Sequence, residues 1–227
     1  MHNPQIQMPS QLVHAKEKPQ KAPLNFWKVC HISNDEMVKT AQTGDIVLFT
    51  GKQMSAQILR GLINSNYDHV GVLVKYPNGQ LMLFESLQGK GVCRWDWDSL
   101  TKGDYCKDNY SKIVYRRLIG AERDEEFKNI VQEFMIDTLG KKYRVNASAL
   151  ISNSDKDDHL KKQVKKKAGF FCSELVATLL KQLNLLDLGT SSSNYWPGSF
   201  STESPERELT LLGDAFYSEE LTVDFQM

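Results

Sequence analysis

Apolar and polar positions along this chain fall into three regimes: a polar lead, a series of short apolar strands, and amphipathic helices set among and after them. Residues 1–23 are rich in Gln, Lys and Pro and show no apolar period, the composition of a flexible arm. Leu24-Asn25-Phe26-Trp27 is the first apolar cluster and marks where the arm meets a single domain running over 24–227. Ser33 and Glu36 have capping-box spacing and open a short helix through Met37, Val38 and Ala41. Thr43-Gly44-Asp45 then turns the chain into a compact strand over 46–49. Met54–Ile63 has the helical period, with Met54, Ile58, Leu59 and Leu62 on one side.

A β-branched run over 69–74, the turn signal Pro77-Asn78-Gly79 and a second apolar run over 81–86 predict a hairpin. Two further strands follow over 92–95 and 113–116, joined by a polar connection through 104–109. Hairpin connections make the sheet mainly antiparallel. The strongest helix spans 122–139, where Phe127, Ile130, Val131, Phe134, Met135 and Thr138 hold the period and Gly140 suits the end. Residues 152–167 are almost wholly charged or polar, an insertion read as a solvated helix or a flexible segment. Beyond it Leu175, Val176, Leu179, Leu180 and Leu183 form one apolar stripe, so a helix begins at or near Cys172. The pattern as a whole is α+β, with an antiparallel sheet packed against that helix and others.

Composition narrows the function. The 227 residues carry no net charge and are 41% hydrophobic, ordinary for a globular chain, so a nucleic-acid partner has no support. No apolar run reaches the ~18 residues that span a bilayer, and residues 1–19 lack the apolar core of a signal peptide, so cytoplasmic residence is the expectation. Cys30, Cys93, Cys106 and Cys172 show no C-x-x-C spacing, which predicts neither a metal site nor a disulfide framework.

Chemistry enters at Cys172. In the first turn of a helix, unpaired N–H groups and the positive end of the helix dipole favour a thiolate and can hold an oxyanion. Of the five histidines, only His69 opens a strongly apolar strand, whose rigid backbone would fix a general base. Glu85 ends the partner strand. The turn centred near 78 places position 69 opposite about 86 or 87, within reach of an orienting carboxylate. Each residue also has a plainer role: a small cysteine that packs, a satisfied structural histidine, a half-buried ion-pair partner.

Together the ordered pieces resemble the circularly permuted papain-fold hydrolases, the YiiX-like cysteine amidases and peptidases, which are related to NlpC-type peptidases and to lecithin retinol acyltransferase. Thr43-Gly44-Asp45-Ile46-Val47-Leu48 is similar to that family's opening strand, and Tyr67-Asp68-His69-Val70-Gly71 to its His-x-Gly element. Gly140-Lys141-Lys142-Tyr143 is similar to its Gly-x-x-Tyr, Phe171-Cys172-Ser173-Glu174-Leu175-Val176 to its nucleophile helix, and Trp196-Pro197-Gly198-Ser199-Phe200 to its late proline segment. The likeness covers about 43–200 and has the permuted order, histidine before cysteine. Arg144 stands where many relatives carry Asp, and the arm and the 152–167 insertion exceed the minimal domain.

The resemblance implies a permuted papain-like fold and a cysteine hydrolase acting on an amide, thioester or ester acyl bond. Cys172 would be the nucleophile, His69 the base and Glu85 the group that orients it. Tyr67, Tyr143 and Tyr195 are candidates for oxyanion or substrate contacts, and no metal or organic cofactor is implied. The substrate would be a small acyl-amide, a peptide or a lipid, with the arm or the charged insertion available to a partner. Two alternatives stand beside this. One is a lipid-directed phospholipase or acyltransferase using the same residues, with Phe170-Phe171 or Trp95 and Trp97 as an exposed apolar surface. The other is a catalytically silent binding module.

Overall fold

The computed structural model describes residues 31–144, 164–204 and 206–225. The N-terminal arm and most of the charged insertion therefore lie outside the described residues. The strands are β1 (His31–Ser33), β2 (Ile46–Gly51), β3 (His69–Lys75), β4 (Leu81–Leu87), β5 (Gly91–Asp96), β6 (Tyr110–Arg116), β7 (Leu118–Ile119), β8 (Lys142–Tyr143), β9 (Gly169–Phe170), β10 (Phe216–Tyr217) and β11 (Leu221–Asp224). The helices are α1 (Asn34–Thr40), α2 (Met54–Ile63), α3 (Trp97–Thr101), α4 (Tyr105–Asn109), α5 (Glu125–Thr138) and α6 (Cys172–Gln182). A seven-stranded sheet in the order β1-β11-β6-β2-β3-β4-β5 forms the body of the molecule. It is antiparallel throughout except for the edge pair β1–β11.

The central strands are buried on both faces, which is why their sequences read as continuous apolar runs. Ile46, Leu48, Val70, Val72, Phe84 and Val114 pack on one face against α5 and α6, through Phe134, Leu175, Val176 and Leu179. Val47, Phe49, Leu73, Leu83 and Tyr115 pack on the other against Met37 of α1 and Trp97 of α3. α6 is buried on every side from Cys172 to Lys181, including Glu174 and Lys181. α5 is half-solvated and begins later than the pattern predicted, because Asp124 accepts from the Phe127 N–H at 2.8 Å and so caps it.

The polar connection expected between β5 and β6 is instead two short helices. Asp96 accepts from the Ser99 N–H at 2.8 Å and starts α3, and this turn buries Trp97, whose indole N–H donates to Asn34 Oδ1 at 2.9 Å. The aromatic pairs proposed as an exposed apolar surface do not serve as one. Phe170, Phe171 and Trp97 are all buried, and Trp95 is half-buried under the Lys90 ammonium. Among the described residues no helix is long and apolar enough to cross a membrane.

Two ionic clusters tie the sheet to its surroundings. Asp45 accepts from the Tyr115 hydroxyl at 2.6 Å, the Leu118 N–H at 2.9 Å and Arg123 at 3.0 Å. Arg116 is 1% exposed, pairs with Glu208 at 2.7 Å and donates to the carbonyls of Phe200 and Ser218. It thereby fastens the C-terminal segment to β6.

Candidate functional site

Cys172 reaches its place through a short parallel pair. β8 and β9 align Lys142 with Gly169 and Tyr143 with Phe170. A Cβ on Gly169 would lie 2.2 Å from the Lys142 carbonyl oxygen, so only glycine permits this approach. The Phe170 carbonyl accepts from the Ser86 hydroxyl at 2.8 Å, which fastens the segment to β4. The chain then enters α6, where Glu174 accepts from the Phe171 N–H at 3.2 Å and pairs with Lys167 at 2.5 Å. Cys172, 1% exposed, is the first residue of this helix.

His69 opens β3 and is paired with Phe49 of β2. The β3–β4 register aligns Val72 with Phe84 and Leu73 with Leu83, and continuing it sets Glu85 opposite Gly71. His69 and Glu85 are thus diagonal neighbours on one face of the sheet, the arrangement in which long side chains meet. Gly71 makes room for that meeting: a Cβ there would lie 2.7 Å from Leu83 Cδ1 and 3.3 Å from Glu85 Cβ. Glu85 Oε2 lies 2.5 Å from His69 Nε2, and both side chains are buried.

With Nε2 occupied by Glu85, Nδ1 is the ring nitrogen left to face Cys172, whose charge the imidazole senses. Burial opposes a charged ring, but the Cys172 sulfur and the Glu85 carboxylate outweigh it and hold His69 up at about 10. The imidazolium is therefore the favoured form in the folded protein at neutral pH. The fold gathers sulfur, imidazole and carboxylate from the start of α6, the start of β3 and the end of β4.

The three tyrosines are placed differently. Tyr67 is fully buried, donates its hydroxyl to Glu220 at 2.5 Å and accepts from Lys112 at 3.0 Å, so its one hydroxyl proton is committed away from Cys172. Tyr143 stacks on Phe171 with ring centroids 5.6 Å apart. Burial, then the Cys172 and Asp68 charges, push its hydroxyl above the ordinary phenol range. Tyr195 contributes its carbonyl, which accepts from the Ser173 hydroxyl at 2.6 Å and holds the loop to the first turn of α6.

Sequence reasoning passed over other neighbours. Asp68, next to His69, accepts from the Gly51 N–H at 2.8 Å and pairs with Arg60 of α2. Trp196 packs edge-on against Phe171, centroids 5.4 Å apart, so Tyr143, Phe171 and Trp196 form an aromatic wall next to Cys172. A cavity of about 550 Å³ opens beyond Trp196, between the end of α2 and Arg207; Cys172 does not line it. A charged residue beside an apolar strand was the only signal for Asp68, and nothing local pairs it with Arg60. Arg144 is exposed and donates its backbone N–H to the Phe170 carbonyl at 3.1 Å. Among the described residues no group of three or more His, Cys, Asp or Glu side chains is arranged to hold a metal ion.

No family model and no curated protein matches this sequence. Among solved structures the chain is similar to the metalloprotein yiiX from Escherichia coli O157:H7, at 24% sequence identity and a TM-score of 0.44. The match covers 63% of this chain and 66% of that one, so the chain spans just under two thirds of the length of the structure it matches.

Proposed function

We propose that this protein is a cysteine hydrolase of the permuted papain-like type, cleaving an amide, ester or thioester acyl bond at Cys172. The observation that carries the reading is the imidazole of His69 held 2.5 Å from Glu85 and close enough to Cys172 for the sulfur's charge to raise its hold on a proton. The Cys172 sulfur attacks the acyl carbon as a thiolate, and the S–C bond forms as the carbonyl becomes an oxyanion. The imidazolium of His69 gives its proton to the departing nitrogen, oxygen or sulfur, leaving a thioester on Cys172. Water then attacks that thioester while His69 takes its proton. Collapse releases the carboxylic acid, and the sulfur and imidazole return to their first state. Glu85 keeps Nδ1 directed at the sulfur throughout and favours the imidazolium.

The oxyanion finds the unpaired backbone N–H groups of the first turn of α6. The Tyr143 hydroxyl, which responds to the Cys172 charge, is the tyrosine candidate to serve with them. An alcohol or amine in place of water turns the same cycle into acyl transfer.

The test is turnover and covalent capture of acyl-amide, acyl-peptide and ester probes by the full chain. Cys172→Ala removes both, while circular dichroism shows the chain still folded. Wild-type turnover in Cys172→Ala would reject the reading.

A further inference from the structure

The cavity of about 550 Å³ beyond Trp196 is bounded by the end of α2, the loop that follows it and the segment after Trp196. Two of its walls meet at Gly198. A Cβ there would lie 2.7 Å from Ser65 Oγ and 2.9 Å from Ser65 Cβ, so glycine lets them touch. One wall leads to the nucleophile: Trp196 lines the cavity and packs on Phe171, centroids 5.4 Å apart, and Phe171 directly precedes Cys172. The other leads to the base: Arg60 lines the cavity and pairs with Asp68, which directly precedes His69. A molecule seated here touches Trp196 and Arg60, whose own partners are the chain neighbours of both reacting groups.

The lining decides what such a molecule is. Amide and hydroxyl side chains dominate it, from Asn64, Ser65, Asn66, Ser199 and Ser204, against Ile63 and Trp196 as large apolar groups. Its charges are answered internally. Arg60 is held by Asp68, and Glu203 accepts from the Ser65 hydroxyl at 3.1 Å and the Asn66 N–H at 3.0 Å. Arg207 donates to the Ile63 carbonyl at 3.2 Å and the Asn64 carbonyl at 3.1 Å. Neither sign of charge is selected, and a fatty acyl chain here would strip water from hydroxyl and amide groups without replacing it. A peptide backbone instead brings a donor and an acceptor with each residue. It also has the reach, since about three extended residues at ~3.3 Å each pass from the sulfur beyond the two rings.

We propose that this cavity is the recognition subsite for a peptide substrate, holding an uncharged polar segment about three residues from the bond cleaved at Cys172. The proposal rests on the hydrolase reading and names its substrate as a peptide rather than a lipid.

The experiment gives the full chain peptides of Gly, Ser and Asn, extended stepwise on either side of one scissile amide, beside a dodecanoyl amide and p-nitrophenyl acetate. On one side kcat/KM rises with length up to about three residues, and the best peptide exceeds the dodecanoyl amide at least about tenfold. Gly61→Phe tests the cavity itself. Gly61 lines it and a Cβ there would meet nothing within 4 Å, so the ring enters open space, and the helix loses only a glycine. This variant lowers kcat/KM for the best peptide, relative to p-nitrophenyl acetate, at least about tenfold and through KM, whereas Gly61→Ala stays within about threefold. Calorimetric titration of the same peptides into Cys172→Ala, with and without Gly61→Phe, reads binding apart from turnover. If no probe turns over but peptides bind and Gly61→Phe abolishes that binding, the hydrolase reading falls and the peptide subsite stands. Preference for the dodecanoyl amide, peptides that neither bind nor turn over, or peptide binding and turnover untouched by Gly61→Phe would each overturn the proposal.

Discussion

Glu85 Oε2 and His69 Nε2 lie 2.5 Å apart on adjacent antiparallel strands, two residues out of direct register and so on the same face of the sheet. The carboxylate thereby decides which ring nitrogen faces Cys172. Glu85→Gln keeps the shape and removes the charge, so the imidazolium loses an ionic partner and the tautomer its constraint. The expected fall in kcat/KM is on the order of 10²–10⁴-fold, measured on the best substrate from the probe panel. The alkaline limb of the pH profile moves to lower pH in the same variant.

The pH dependence has a definite sign. His69 titrates at about 10 in the folded protein against an ordinary 6.5, because its charged form is held by Cys172 and Glu85 despite burial. The stability this contributes is complete below pH 6.5 and is lost as pH rises through about 10. Thermal midpoints recorded from neutral to alkaline pH should fall across that window, and Cys172→Ala or Glu85→Gln should flatten the fall. Turnover should decline over the same upper range as His69 loses its proton.

Iodoacetamide should discriminate among the described cysteines near neutral pH. Burial and the nearby Glu85 charge push the thiols of Cys93 and Cys106 up to about 11, which keeps them protonated. Cys172 sits against an imidazolium instead, and peptide mapping should find it labelled first. Equal labelling of all of them would contradict an activated sulfur.

Gly71→Ala tests how the pair is positioned. The added methyl meets Leu83 Cδ1 at 2.7 Å and Glu85 Cβ at 3.3 Å, so either the Leu83 side chain turns or Glu85 moves off His69. A stability loss of about 1–3 kcal/mol is expected, with a drop in kcat larger than any change in KM. Adding Leu83→Ala should recover kcat more than stability, since it relieves the clash and opens a cavity.

Arg116→Ala removes the cation that joins β6 to Glu208 and to the carbonyls of Phe200 and Ser218. It leaves buried acceptors without a partner, and the expected cost is about 3–5 kcal/mol, read by urea denaturation. Glu208→Gln should cost less, because Glu208 retains some solvent contact.

Several features were legible along the chain because they depend on near neighbours. Ser33 does accept from the Glu36 N–H, at 3.2 Å, as its spacing predicted. α2 and the start of α6 fall where the period placed them. The turn near 78 set the β3–β4 register closely enough to bring position 85 near position 69. The helices α3 and α4 were not legible, since their stretch is polar and too short to show a period. Nor was the edge pairing of β1 with β11, which joins the two ends of the described chain.

By itself, then, the sequence determined where strands and helices begin and which residues carry reactive groups, because backbone geometry imposes its period over a few residues. The tertiary structure alone decided that Nε2 rather than Nδ1 takes Glu85, that Tyr67 turns to Glu220, that Phe170 and Phe171 are covered, and that Met54, Ile58 and Leu62 of α2 are not. Those outcomes depend on which distant segment packs against a given side chain, and a periodic pattern records only that a face is apolar, not what will lie upon it.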